Sequence, residues 1–320
     1  MLRWYDRAKR DLPWRVTRDF YRVWISEIML QQTRVEAAIP YYERFLALFP
    51  DVESLAVAPE PDVLTAWSGL GYYSRARNLH RAAKQVGATG YPADYEQLSG
   101  LPGIGPYTAA AIASIALGQP FAAVDGNVIR VVSRLANDPG EVSSPLTRQR
   151  FSREAQRLLD PRRPGDFNQA MMELGATVCV PRSPDCGLCP VARFCAARAA
   201  GTERELPVKL KKTAARDVKV DLAVFTGCNE SPAIAGSVFL VQRAPDERRL
   251  AGFWELPQKN LFPGWRGRRA KEFVHQIVND RFRITVWRGL TPKALPSGRW
   301  FGPADLAAIP LTTISRKALQ

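Results

Sequence analysis

The chain has 320 residues, 46% of them hydrophobic, which is enough for about two well-packed domains. Its 45 Lys and Arg residues exceed its 31 Asp and Glu residues, and the formal net charge of +14 favours a polyanionic partner. The N-terminal segment is charged and no run of about 18 apolar residues occurs, so we expect no secretory signal peptide and no membrane-spanning helix.

The first 202 residues carry helical patterns. Apolar residues recur at helical spacing over Val23–Met29 and Ile39–Phe49, and Pro and Gly residues separate the predicted helices. Glu27 stands inside the apolar run WISEIML. A solvent-facing helix carboxylate fits such surroundings poorly. We therefore expect a buried carboxyl with a raised pKa, which suits a general acid.

The next element in chain order is a predicted helical hairpin at residues 98–118, which begins LSGLPGIGPYT. Gly103 and Gly105 allow a tight turn, and their N–H groups, with the start of the following helix, can hold a phosphate. Pro106 suits the first turn of that helix, where it loses no hydrogen bond. A G-x-G pattern by itself is more typical of an ordinary turn between helices.

A short polar segment, Asp125-Gly126-Asn127, precedes the predicted apolar helix Val128–Leu135. By itself this pattern predicts a helix N-cap with a turn, because an Asp side chain accepts hydrogen bonds from the first free backbone N–H groups.

Four cysteines follow with the spacing C-x6-C-x2-C-x5-C: Cys179, Cys186, Cys189 and Cys195. Soft thiolates this close together select zinc or an iron–sulfur cluster, whereas core or disulfide-paired cysteines rarely cluster in a Pro- and Gly-rich loop. Structural zinc sites usually combine two C-x2–4-C pairs, and only one such pair is present. The spacing therefore favours a 4Fe–4S cluster, and the ligating thiolates predict a reducing compartment.

After a polar, basic linker predicted at residues 203–216, the pattern changes to β. Residues alternate over 218–225, 237–242 and 282–288, and helices are expected at about 267–273 and 303–308. Cys228 has no local partner and is expected to be a plain core or strand residue. Residues 1–202 are therefore predicted to form an all-α domain, and residues 217–320 a small α+β domain that follows it in the chain.

The hairpin, the aspartate and the cysteine loop occur in the order found in the helix–hairpin–helix endonuclease III superfamily, which they resemble. Essentially all of residues 1–200 are similar to the adenine DNA glycosylases (MutY family) in particular. The similar segments are Leu12–Arg15, Trp24–Val35, Gly69–Leu79 and Phe167–Gly175.

This resemblance implies a glycosylase of base excision repair that acts on double-stranded DNA containing adenine opposite 8-oxoguanine or guanine. It implies that Glu27 protonates adenine N7, that Asp125 stabilises the cationic sugar, and that Tyr107 and Asn127 position the reacting groups. It places Trp14, Arg15 and Glu173 around the adenine. It also places a wedge near the opposite base, made of Gln32, Thr33, Leu70 and Tyr72, although Tyr72 has a plain core aromatic as its alternative.

Relatives that also cleave the DNA strand carry a lysine at the position of Tyr107, where it forms a Schiff base. Here the residue is tyrosine, and no lysine occurs between Lys84 and Lys209. The resemblance therefore implies a monofunctional glycosylase.

The segment Leu250–Pro257 (LAGFWELP) resembles part of the nudix-like domain of these enzymes, without the glutamate cluster of catalytic nudix proteins. The resemblance implies a lesion-recognition module. Where relatives carry Phe-Ser-His, this chain has Ile277, Val278 and Asn279, and Asn279 is a candidate contact to the base edge or phosphate.

Two alternatives remain open from the sequence. One is a mismatch-specific thymine or uracil DNA glycosylase of the same superfamily, and the other is a non-catalytic iron–sulfur DNA-binding protein. We expect a monomer without a membrane partner, in the cytoplasm and associated with the nucleoid if the source is prokaryotic.

Overall fold

The structure is a computed structural model that describes residues 1–210, 216–226, 236–244, 246–247, 250–277 and 279–320. Its helices are α1 Leu2–Ala8, α2 Phe20–Leu30, α3 Val35–Leu48, α4 Val52–Val57, α5 Glu60–Ala66, α6 Ser74–Thr89, α7 Tyr95–Ser99, α8 Pro106–Ile115, α9 Gly126–Leu135, α10 Pro145–Leu158, α11 Pro164–Thr177, α12 Ala196–Ala200, α13 Asp305–Ala308 and α14 Thr313–Leu319. Its strands are β1 Arg216–Thr226, β2 Val238–Gln242, β3 Trp254–Glu255, β4 Arg268–Ile277, β5 Asp280–Leu290 and β6 Arg299–Phe301.

Two compact units make up the chain. One contains residues 1–58 and 78–211, and the other contains residues 59–77 and 212–320. The second unit therefore joins a short helical segment from the N-terminal half to the C-terminal sheets. Residues 211–215 of the predicted linker lie outside the described residues, and the linker and domain boundaries stay predictions.

Side-chain caps start several helices of the first unit. Asp19 caps α2 by accepting from Arg22 N at 2.8 Å, and Asp51 and Ser54 form a capping box at α4. Each cap satisfies a backbone N–H that lacks an intrahelical acceptor. The Asp19 cap therefore fixes where α2 begins, and the Asp51–Ser54 box fixes where α4 begins.

The core of the first unit is built around α8. Its residues 108–115 are all buried, and small side chains let α2, α7 and α11 pack against it. A second core cluster lies between α9, α10 and α11. At Gly175 of α11 a Cβ atom would lie 2.6 Å from the Cβ of Asn127, so only glycine permits this close approach to the start of α9.

The described residues of the second unit form two three-stranded sheets. In one, β1 runs parallel to β5, and β5 pairs with β4 in an antiparallel hairpin; the other has the order β3-β2-β6 and is antiparallel. Apolar residues of both sheets and of α14 share one core, which includes Leu222, Leu240, Ile284 and Phe301. The strands predicted at 218–225, 237–242 and 282–288 are confirmed as β1, β2 and β5.

One secondary-structure prediction is wrong. The helix expected at about 267–273 is the first part of β4, which pairs with β5 from Arg268 to Ile277. Its residues alternate in burial, with Phe273 directed to the core side and Val274 exposed. The RRAKE stretch has a local preference for helix. Cross-strand pairing and the burial of alternate side chains outweigh this preference. The helix expected at 303–308 is present as α13.

Candidate active site and cysteine-lined cavity

Glu27 lies on α2 and is 6% exposed. Burial raises the pKa of its carboxyl to about 7, and the negative charge of Asp125 acts in the same direction. The hydroxyl of Tyr107 donates to Glu27 Oε2 at 3.0 Å, which partly offsets burial by stabilising the carboxylate. Near neutral pH this carboxyl can therefore both give and take a proton.

Tyr107 is the second residue of α8 and follows the Gly103–Gly105 turn. Burial and the nearby carboxyls hold its pKa well above the usual value, so its hydroxyl remains a donor at any physiological pH. The same oxygen lies 3.3 Å from Met172 Sδ of α11. Tyr107 can orient Glu27 by hydrogen bonding, but it has no amine with which to form a Schiff base.

Asp125 is the N-cap of α9. Its Oδ1 accepts from Val128 N at 2.8 Å, and its Oδ2 accepts from Asn127 Nδ2 at 2.8 Å. Burial raises the pKa of Asp125, and both hydrogen bonds lower it again. The N-terminal end of α9 also favours a negative charge at this position. The structure thus brings together Glu27, Tyr107, Asp125 and Asn127, the four residues predicted to be catalytic.

A buried arginine connects this carboxylate to the cysteine loop. Arg130, one turn into α9, donates from Nη2 to Asn127 Oδ1 at 2.7 Å and to the Gly175 carbonyl at 2.6 Å. Its Nε donates to the carbonyl of Cys179 at 2.7 Å. Asn127 therefore holds Asp125 while being held by an arginine bound to the first cysteine of the loop.

Arg134, one turn further along α9, is 1% exposed and binds the same loop. It donates to the carbonyls of Cys179, Val180 and Pro181 and to Cys179 Sγ, with distances between 2.9 and 3.2 Å. Sequence reasoning missed Arg130 and Arg134. Both could have been found by the signal that identified Glu27, which is a charged residue inside an apolar helical run.

Cys179, Cys186, Cys189 and Cys195 are all free thiols and line one cavity, which Arg134 and Arg198 also border. The disulfide alternative is therefore wrong. Among the described residues, no group of three or more His, Cys, Asp or Glu donors is arranged to hold a single metal ion. Four thiols around one shared cavity suit an iron–sulfur cluster.

Glu173 and Arg15, predicted to line an adenine pocket, bind each other. The Glu173 side chain has no exposed surface; its Oε2 accepts from Arg15 Nη2 at 2.7 Å and its Oε1 from Arg10 Nε at 2.8 Å. These arginines hold the pKa of Glu173 at about 2 despite burial. Trp14 is buried beside the Tyr42 ring, at 5.3 Å between centroids. Sequence reasoning missed Arg10, because nothing distinguishes it within the basic stretch RAKR.

Among the predicted wedge residues, Gln32 and Thr33 follow α2 in the first unit, and Leu70 and Tyr72 belong to the second. Gln32 and Tyr72 have positive φ angles of 56° and 49°, a conformation that side-chain-bearing residues rarely adopt. Tyr72 is 44% exposed, which does not fit the alternative of a core aromatic. Exposed residues with a strained backbone of this kind are typical of ligand-contacting loops.

The two hairpin glycines form the tight turn before α8 that the sequence predicted. Gly103 has φ 80°, and a Cβ there would lie 2.6 Å from the Cβ of Asn78. Gly105 is the N-cap of α8, and a Cβ at this position would meet open space. The start of α8 is therefore accessible to an anion.

The last predicted contact lies in the β4–β5 turn. Asn279 has an exposed side chain, and its carbonyl accepts from Arg216 N at 2.8 Å. Ile277 ends β4. Val278 lies outside the described residues, as does Cys228.

Comparison with known proteins agrees with this geometry. Residues 25–157 match the HhH-GPD superfamily of base excision DNA repair proteins, and residues 179–195 match the iron–sulfur binding domain of endonuclease III. These matches define the chain as a DNA glycosylase of base excision repair with a 4Fe–4S cluster.

Similarity to individual proteins identifies the family within this class of DNA glycosylases. The chain is 35% identical to the adenine DNA glycosylase of Homo sapiens, in an alignment covering 100% of this chain and 72% of that protein. It is 37% identical to the adenine DNA glycosylase of Arabidopsis thaliana, covering 89% of this chain and 51% of that protein. A solved structure of a thermostable thymine-DNA glycosylase is 28% identical, with a TM-score of 0.56 over 62% of this chain and 93% of that one. The chain belongs to the adenine DNA glycosylase family.

Proposed function

We propose that the protein hydrolyses the N-glycosidic bond of adenine paired with 8-oxoguanine or guanine in double-stranded DNA. The observation that carries this proposal is that two buried carboxyls act on each other electrostatically, Glu27 accepting from Tyr107 and Asp125 accepting from Asn127. The Glu27 carboxyl has a pKa of about 7 and can donate a proton. Burial also raises the pKa of Asp125, but its two hydrogen bonds favour the carboxylate form. Two carboxyl groups with such different environments are what glycosidic bond cleavage requires.

The adenine must leave the base stack before it can reach buried groups, so the nucleotide is flipped out of the duplex. Protonated Glu27 then donates to adenine N7 as the bond between C1′ and N9 breaks, and the base departs neutral. The Asp125 carboxylate stabilises the positive charge that develops on the sugar. Water adds to C1′ and its proton returns to the carboxylate of Glu27, which restores the starting state.

Strand cleavage by a Schiff base is absent from this proposal because Tyr107 occupies the place of the lysine. The iron–sulfur cluster, held by the four cysteines, organises the loop at residues 179–195. Around the reacting groups, Trp14, Arg15 and Glu173 are proposed to shape the adenine side. Gln32, Thr33, Leu70 and Tyr72 are proposed to contact the opposite base. Gly103 and Gly105 are proposed to hold a backbone phosphate.

The C-terminal sheets are proposed to be a nudix-like module that recognises the lesion, with Asn279 at an exposed turn as one contact. The ligation of the cluster by thiolates supports a reducing, intracellular location. Double-stranded DNA with an adenine mispair is the proposed partner, bound by one copy of the chain.

A single-turnover assay on four duplexes tests the proposal: adenine opposite 8-oxoguanine, guanine or thymine, and thymine opposite guanine. We expect adenine to be released fastest opposite 8-oxoguanine. Release of thymine without adenine would favour the alternative to which the similar thymine-DNA glycosylase points. Adenine release at equal rates opposite 8-oxoguanine and guanine would support the proposed chemistry but would show that the protein does not prefer the lesion.

A further inference from the structure

The loop Gly69–Tyr73 presents two adjacent tyrosines to opposite surroundings. Tyr72 has the left-handed backbone noted above and is 44% exposed, whereas Tyr73 is buried. Gly69 and Gly71 also have positive φ angles, of 108° and 73°. Glycine adopts such angles freely, so the strain lies at Tyr72, whose conformation persists only if surrounding contacts hold it.

Contacts within residues 67–75 supply part of that support. Trp67 Nε1 donates to the Gly71 carbonyl at 3.2 Å, and Gly69 N donates to the Tyr73 hydroxyl at 3.3 Å. The guanidinium of Arg75 lies 5.5 Å from the Trp67 ring centroid and 5.4 Å from that of Tyr72. Cation–π contacts at these distances hold the Tyr72 ring beside the largely buried Arg75.

The remaining support comes from the C-terminal sheets of the same compact unit. The Tyr73 ring packs on Phe253, with 4.2 Å between centroids, and Phe253 has no exposed surface. Arg77 donates to the carbonyl of Ala251 and lies 6.0 Å from the centroid of the Phe253 ring. Ser68 accepts from Arg316 of α14 at 2.7 Å.

Hydrogen bonds also hold these C-terminal residues in position. Phe253 immediately precedes β3, and its N–H donates to the Leu250 carbonyl at 3.0 Å. Its carbonyl accepts from Arg243 N at 2.9 Å. Leu256 N donates to Ser315 Oγ of α14 at 2.9 Å, which ties the strand to the helix that carries Arg316.

We propose that Phe253, with Arg77 and Arg316, is a positioning residue for recognition of the base opposite adenine: it fixes the Gly69–Tyr73 loop so that Tyr72 projects towards the duplex. This inference rests on the proposed function, in which Tyr72 contacts the opposite base. Under this proposal the C-terminal sheets influence specificity through a contact that touches no DNA, in addition to any contact made by Asn279.

The test is a double-mutant cycle with Phe253→Leu and Tyr72→Ala, read as the ratio of adenine release opposite 8-oxoguanine to release opposite guanine. Loss of one aromatic pair is expected to lower the ratio by about fivefold in Phe253→Leu. On the Tyr72→Ala background the same change is expected to have no further effect, because Phe253 acts through Tyr72. Phe262→Leu, which alters a buried aromatic outside the strands that packs on Phe225 of β1, is the matched control and should leave the ratio unchanged.

An unchanged ratio in Phe253→Leu, or an equal loss with and without Tyr72, overturns the proposal. If Phe253→Leu does not fold, Ser68→Ala removes only the Arg316 bond and is expected to lower the ratio about twofold. A duplex with 2-aminopurine beside the opposite base reports stacking of Tyr72 without any base release. If the wild type releases no adenine but this fluorescence change is lost in Phe253→Leu, the proposed function fails and the positioning role stands.

Discussion

Replacement of Glu27 by Gln separates the chemistry of this carboxyl from its effect on folding. The amide has nearly the same shape and can accept the Tyr107 hydrogen bond, but it neither transfers a proton nor becomes charged. We expect base release to be abolished while binding to the mismatched duplex persists.

The same substitution is expected to stabilise the protein at alkaline pH. The pKa of Glu27 rises from 4.5 to about 7 on folding, so the folded state binds more protons than the unfolded state between these values. The stability of the wild type therefore falls as pH rises through this window. At about 1.4 kcal/mol per pKa unit, burial of the charge costs about 3 kcal/mol above pH 7, of which roughly 2 kcal/mol arises between pH 5.5 and pH 8.

Thermal unfolding of wild type and Glu27→Gln at these two pH values measures this cost. The Tm advantage of the variant should be about 4–8 °C larger at pH 8 than at pH 5.5 for a domain of this size. Glu43→Gln, at an exposed position on α3, is the matched control and should show no such dependence. A Tm advantage independent of pH would refute the buried-acid assignment, and base release by Glu27→Gln at the wild-type rate would refute its catalytic role.

Three further substitutions, at Tyr107 beside Glu27 and at Arg130 beside Asn127, probe the surroundings of the two carboxyls. Tyr107→Phe removes the hydrogen bond that favours the carboxylate, so the pKa of Glu27 should rise and the alkaline limb of the pH–rate profile should move up by about one unit; a limb that moves to lower pH would contradict the geometry. Tyr107→Lys should gain some strand nicking by β-elimination, and a gel without nicked product would count against the Schiff-base argument. Arg130→Met should slow base release about tenfold by freeing Asn127, with unchanged iron per chain because Cys179 and the other thiolates are intact; release at the wild-type rate would show that Arg130 does not position Asn127.

Local sequence determined much of the candidate site. Glu27, the two hairpin glycines and the four cysteines each leave a short-range signal in the chain, whereas the roles of Tyr107, Asp125 and Asn127 were implied by the family resemblance. Glu27 interrupts an apolar run, Asp125 precedes a helix as a capping residue, and the cysteines have ligand spacing. Such signals depend on neighbours in the chain, which the sequence displays directly.

Other features depended on residues distant in sequence. The segment at 267–273 prefers helix locally, and only pairing with β5 makes it a strand. Arg10 lies 163 residues from Glu173, and Arg130 lies 49 residues from Cys179, so neither partner could be inferred from spacing. Charged groups in the interior reveal that a partner exists, but not which residue provides it.

The sequence by itself determined which candidate groups are present: a carboxyl among apolar residues, an aspartate at a helix start and four thiolates in one loop, with the expected absence of a lyase lysine implied by the family resemblance. Only the tertiary structure decided how these groups act together. It set the Glu27 pKa through burial, joined Asp125 to the cysteine loop through Arg130, and placed Tyr73 against Phe253. The physical reason is that side-chain identity is encoded locally, whereas desolvation and hydrogen-bond partners are created when distant segments pack.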